Sequence, residues 1–106
     1  MAAITTIVHF SMPKENMTKF LGVWEKTKVI MLKQPGALDG VMHRTIDDDS
    51  PFQFVNVARW ESSEALASAL KVVAKEMKDA GIDFMEEMKR LGARVSQNNY
   101  AQEVKY

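Results

Sequence analysis

Apolar and polar side chains alternate from Ala3 to Phe10, with Ile4, Thr6, Val8 and Phe10 on one face and Thr5, Ile7 and His9 on the other. A period of two with β-branched residues predicts a strand. Ser11-Met12-Pro13 ends it, and Pro13 suits the first turn of a helix because its missing N–H would be unpaired there anyway. From Lys14 to about Leu32 the period changes. Met17, Phe20, Leu21, Trp24, Lys28 and Met31 follow i, i+3, i+4, i+7 spacing, broken only by Lys28, and predict a helix. Val23 and Ile30 widen the stripe, so this helix should be covered on more than one side.

Pro35-Gly36 is a strong breaker pair, followed by two predicted strands, Leu38–Asp47 and Phe52–Glu61, joined by a surface turn at Asp48-Asp49-Ser50-Pro51. In the second strand Phe52, Phe54, Asn56, Ala58 and Trp60 share one face and Val55, Val57 and Arg59 the other. Both faces are largely apolar, which predicts a central strand covered on both sides. Ser62 is the predicted N-cap of a second helix with the stripe Leu66, Ala69, Leu70, Val73 and Met77. Gly81 breaks it. Asp83 can cap a short third helix whose apolar positions are Phe84, Met85, Met88 and Leu91, closed by Gly92. Arg94–Tyr106 has strand character interrupted by Ser96-Gln97-Asn98-Asn99. The order β-α-β-β-α-β, with an extra short helix before the last strand, predicts a ferredoxin-like α+β fold as a single domain over residues 1–106.

Composition acts by exclusion. Fourteen basic and fourteen acidic residues cancel, which argues against a broad nucleic-acid-binding surface. No stretch reaches the ~18 apolar residues of a membrane helix. The start alternates like a strand, without the basic n-region of a signal peptide, so no membrane association and a cytoplasmic location are expected. The absence of cysteine removes disulfides, thiol nucleophiles and thiolate metal sites, and two histidines, His9 and His43, leave little for a metal centre; no metal ligand is assigned. No phosphate loop, GxSxG, HExxH or EF-hand pattern occurs.

The strongest local signal is Asn56-Val57-Ala58-Arg59-Trp60-Glu61-Ser62. Asn56 and Trp60 point to the same side, about 13 Å apart at ~3.3 Å per residue. A carboxamide on an apolar face either bonds a neighbouring loop, with Trp60 as a core plug, or faces a cavity. His43 shares its face with Val41 and Thr45 and reads as a general base or as a partly exposed imidazole. Met77, Met85 and Met88 form either an adaptable pocket lining or ordinary core. The charges between Lys75 and Arg90 read as a solvated helix face.

The Pro35-Gly36-Ala37-Leu38 junction and the Phe54-Val55-Asn56-Val57-Ala58-Arg59-Trp60-Glu61-Ser62-Ser63-Glu64-Ala65 segment resemble the antibiotic biosynthesis monooxygenase (ABM) domain family of the dimeric α+β barrel superfamily, over Ile4 to about Leu70. The resemblance implies a homodimer packed sheet to sheet, with the C-terminal segment reaching the partner. It implies a pocket between sheet and helices, here expected to be lined by Phe54, Trp24, Leu66, Leu70, Met77, Met85 and Met88. It further implies oxidation of a small phenolic, anthrone or quinol substrate by molecular oxygen without a cofactor. Asn56 would then hold a substrate oxygen or developing peroxide, Trp60 would wall the pocket, and His43 would be a candidate base. Two departures stand out. Some aromatic oxygenases of this type carry a tyrosine on the helix after the tryptophan, near whose place Leu66 stands here, and an arginine for which Arg90 and Arg94 are loose counterparts. Haem-degrading relatives carry a histidine on the helix where this chain has Leu70 and Lys71, which disfavours a haem-linked role. A non-catalytic ligand-binding or stress-response protein of the same fold is the alternative from another class.

Overall fold

The computed structural model of the chain describes residues 3–106. Strand β1 (Ile4–Ser11) leads through a 3-10 turn, Lys14–Asn16, into helix α1 (Met17–Met31). Strands β2 (Ala37–Arg44) and β3 (Phe54–Trp60), helices α2 (Ser63–Asp79) and α3 (Phe84–Arg90), and strand β4 (Arg94–Tyr100) follow. The expected caps are in place. Ser62 Oγ accepts from the Ala65 N–H at 3.1 Å and an Asp83 carboxylate oxygen accepts from the Glu86 N–H at 3.2 Å, each satisfying a donor that the first helical turn leaves without a partner.

The sheet runs in the order β2-β3-β1-β4 with every neighbouring pair antiparallel, the ferredoxin-like arrangement. Register fixes which side chains share a face. Val8 lies between Asn56 on β3 and Gln97 on β4, and Met42 on β2 lies beyond Asn56. The helices pack on the face that carries these residues. The opposite face, with Ile7, His9, Val55 and Val57 half-buried and Val41 and His43 exposed, has no covering layer among the described residues. Coverage of both faces of β3 is therefore not met within the chain.

Three features differ from the sequence reading. The link between β2 and β3 covers residues 45–53 rather than four, because Thr45 and Ser50 turn their hydroxyls on the backbone. Thr45 Oγ1 accepts from the Asp47 N–H and Ser50 Oγ from the Phe52 N–H, local bonds that compete with the strand ladder. Phe52 consequently leaves the Asn56 face, and its ring lies 4.6 Å from that of His9. Ser96-Gln97-Asn98-Asn99 does not interrupt β4 but forms its middle, paired with His9 to Thr6. An exposed edge strand tolerates polar side chains, and the ladder to β1 overrides their weak strand preference. Finally, Thr27 takes a buried place on α1 beside the apolar stripe, its hydroxyl donating to the Val23 carbonyl at 3.0 Å.

The core is divided. Phe10, Met12, Phe20, Phe54, Met88 and Leu91 form one cluster, with Phe20 stacked on Phe54 at 5.1 Å and tilted against Phe10 at 4.7 Å. Trp60, Leu66 and Ala69 form a second cluster where β3 enters α2. Burying side chains of this size stabilises the fold by roughly 1.5–3 kcal/mol each. No helix among the described residues is long and apolar enough to cross a membrane.

Candidate functional site

Between the sheet and helices α1 and α2 lies a solvent-connected cavity of about 710 Å³, walled by members of both core clusters. That volume falls within the roughly 300–1,000 Å³ of small-molecule sites. The sheet contributes Thr6, Val8, Met42, Phe54, Asn56, Ala58 and Trp60; α1 contributes Leu21, Trp24, Thr27 and Met31; α2 contributes Leu66, Leu70 and Val73. The wall is thus mainly apolar and aromatic.

Asn56 is part of its lining. The residue is 8% exposed, yet among the described residues its carboxamide has no hydrogen-bond partner in the protein. No fully enclosed side-chain N or O atom lacks a partner either, so the amide atoms must reach the open space of the cavity. A buried carboxamide seated this way keeps two donors and one acceptor for whatever enters. Its other polar neighbours across the sheet are already engaged with each other: Gln97 Nε2 donates to Thr6 Oγ1 at 3.3 Å.

The placements of the other candidate residues follow from register. Phe54, Trp24, Leu66 and Leu70 line the cavity with Asn56 and Trp60. Three methionines do not. Met77 is buried on the α2 stripe with its sulfur 4.0 Å from Thr27 Oγ1, Met88 is buried in the first core cluster, and Met85 is 66% exposed. Their helical phase aims the first two between elements and the third to solvent. His43 pairs with Val55, so its side chain projects from the uncovered face of the sheet, away from the cavity. His9 pairs with Val55 from the other side, so the two imidazoles flank one valine on that outer face. Arg90 is paired with Glu87 at 2.8 Å, and Arg94 pairs with Ser11 at the sheet edge; neither lines the cavity. Among the described residues no three His, Asp or Glu side chains gather closely enough to hold a metal ion.

Sequence reasoning missed Thr6, Gln97 and Arg44 as cavity residues. Thr6 shares the alternation that places Val8 and Phe10, so its face was readable. Gln97 lies in the apparent polar break, and no motif or local pattern marks Arg44.

The outer face carries one well-formed ion pair. Arg59 Nη2 donates to Asp39 Oδ2 at 2.7 Å, and Nε reaches the two carboxylate oxygens at 3.1 and 3.2 Å. These hydrogen bonds hold the Asp39 carboxyl below its usual 3.8 and push Arg59 upward. The folded chain thus binds the Asp39 proton less tightly than the unfolded chain. Whatever stability the pair contributes is complete at neutral pH and is lost as pH falls below the usual carboxylate range, through the lowered value. Arg59→Gln is expected to raise the Asp39 midpoint toward 3.8 in a carboxyl-detected NMR titration; an unchanged midpoint would show that the guanidinium is not the cause.

The family model for antibiotic biosynthesis monooxygenase matches residues 3–74. Among solved structures, the chain is similar to a candidate monooxygenase from Shewanella loihica, with 26% identity and a TM-score of 0.76 over 98% of this chain and 97% of that one. It is also similar to SnoaB, a cofactor-independent oxygenase from Streptomyces nogalater, with 19% identity and a TM-score of 0.69 over 99% and 97% of the two chains. A conserved protein from Methanosarcina mazei matches at 17% identity and a TM-score of 0.77, over 97% and 95%. No curated protein matches the chain.

Proposed function

The chain belongs to the antibiotic biosynthesis monooxygenase family, and from that premise we propose that it oxidises a small phenolic, anthrone or quinol substrate with molecular oxygen, without a cofactor. The observation that carries the proposal is the Asn56 carboxamide, buried in an apolar cavity with no hydrogen-bond partner among the described residues. For an anthrone the overall reaction balances as substrate plus O₂ giving the quinone plus water. The electron-rich ring of the substrate anion supplies the electrons, a C–O bond forms to oxygen, and loss of water leaves the second carbonyl. The protein's contribution in this reading is placement and a dry wall. Asn56 N–H groups donate to the oxygen on which negative charge develops, and Trp24, Phe54 and Trp60 flank the ring system. The similarity to SnoaB supports the cofactor-independent form of the chemistry. His43 has no part in this reading, since it projects from the other face of the sheet.

Oxygen uptake with an anthrone or a hydroquinone tests the proposal. Catalysed uptake above the buffer rate is expected; binding without uptake would instead assign the cavity to a non-catalytic ligand-binding protein.

The uncovered sheet face supports a second part of the proposal, a homodimer packed sheet to sheet. Ile7, Val41, Val55 and Val57 form an apolar centre there that helices leave bare. Sedimentation at micromolar concentration is expected to give twice the chain mass, and Val57→Lys, which places a charge at the centre of that face, to give a monomer. A wild-type chain that sediments as a monomer contradicts the dimer.

A further inference from the structure

Arg44 is the charged side chain of the cavity wall that has no ion-pair partner among the described residues. It ends β2 opposite Phe54, on the helix-packed face, and its guanidinium carbon stands 5.3 Å over the centroid of the Phe54 ring. Phe54 is buried and stacked on Phe20, so the cation rests on a rigid aromatic floor. The other charges near the opening are engaged. Lys28 pairs with Glu25 at 2.8 Å and Asp39 with Arg59 at 2.7 Å. Arg44 forms no ion pair among the described residues. Asp47 and Asp48 lie across a small depression on its far side, where Asp48 is 3.7 Å from Lys14.

The geometry points to Arg44 as a specificity residue that selects substrates bearing a carboxylate on the aromatic system. This inference rests on the proposed use of the same cavity. A guanidinium holds a planar fork of donors that matches a carboxylate in two parallel hydrogen bonds, and the contact with Phe54 holds that cation at the cavity wall. Arg44 and Asn56 stand diagonally across β2 and β3, because Arg44 pairs with Phe54 and Met42 with Asn56. Such diagonal positions are about 7–8 Å apart. A substrate that places its reacting oxygen at Asn56 and a carboxylate at Arg44 therefore lies along the sheet floor from β3 toward the end of β2. Arg44 thus fixes which end of a flat, nearly symmetric ring system faces Asn56. The apolar wall alone cannot make that distinction, since it has no polar group at that end.

Anthraquinone-2-carboxylate and anthraquinone-2-carboxamide, titrated at pH 7 and low salt with tryptophan fluorescence from Trp24 and Trp60 as the readout, test the assignment. The wild-type chain is expected to bind the carboxylate roughly tenfold more tightly than the amide, and higher salt to narrow the gap. Arg44→Gln is expected to remove that preference by weakening carboxylate binding, and Arg44→Lys to retain part of it. Equal affinity for the two compounds in the wild-type chain, or a preference that survives in Arg44→Gln, overturns the assignment but leaves the oxygenase reading standing. Failure of both compounds to bind overturns the assignment together with the use of the cavity for flat aromatic ligands.

Discussion

Asn56→Ala is expected to lower turnover with an anthrone or hydroquinone by roughly a hundred- to a thousandfold, the range found when a donor to a developing oxyanion is removed. The same substitution is expected to leave thermal stability nearly unchanged, within about 1 kcal/mol. The two outcomes come from one observation. Among the described residues the carboxamide has no hydrogen bond, so its removal orphans no partner there, and the space it vacates adjoins a cavity that is already open. An asparagine that tied down a loop would behave in the opposite way, losing about 1–3 kcal/mol for the unpaired group left behind. If the donor acts on charge that appears only in the transition state, kcat and kcat/KM should fall together while KM stays level. Asn56→Asp is expected to be no better than alanine, since it replaces two N–H donors with an acceptor that repels the substrate anion. Steady-state oxygen uptake beside a melting curve of each variant checks the set. Full activity in Asn56→Ala would end the catalytic role of this residue.

Gly36→Ala is expected to destabilise the fold by about 3 kcal/mol or more, through two separate costs. Gly36 has φ +88, a backbone region where an L side chain costs of the order of 1–3 kcal/mol. In addition, a Cβ built there would lie 2.6 Å from the Cβ of Ala65 on the first turn of α2, a contact that neither short, stiff side chain can relieve by rotation. The position matters because the Gly36 carbonyl accepts from the Glu61 N–H at 2.9 Å, joining the start of β2 to the corner where β3 becomes α2. Trp60, next to that corner, packs with Leu66 and Ala69 at one end of the cavity. A double variant, Gly36→Ala with Ala65→Gly, separates the terms. It should recover the steric part, less the roughly 0.5–1 kcal/mol that glycine costs inside a helix, and keep the backbone part. Urea denaturation of the wild type and the two variants reads out both. A Gly36→Ala chain as stable as the wild type would contradict the tight approach of this turn to α2.

Much of the architecture was legible because it rests on local rules. The alternation from Ile4 to Phe10 and from Phe54 to Trp60 fixed strand phase, and so put Asn56 and Trp60 on one side before any tertiary contact was known. Ser62, Asp83 and the Pro35-Gly36 pair marked helix ends through hydrogen bonds and dihedrals that involve only near neighbours. The methionines were harder. Met77, Met85 and Met88 share a composition that suits a pocket lining, but helical phase and packing carried two into the core and one to the surface. His43 shows the same limit on a strand. Its alternation with Met42 and Arg44 was readable, but not which of the two faces would receive the helices.

By itself, then, the sequence determined the elements, their order, the ferredoxin-like pattern and the common face of Phe54, Asn56, Ala58 and Trp60, because each depends on periodicity or on bonds a few residues long. Only the tertiary structure decided that Val8 would stand between Asn56 and Gln97, that Arg44 would lie over Phe54, and that the polar run in β4 would be strand. Those outcomes depend on the register between strands and on which face of the sheet the helices cover, which no local pattern encodes. The same long-range pairing kept the two core clusters apart, and the space between them is where the unpartnered carboxamide of Asn56 is exposed to a ligand.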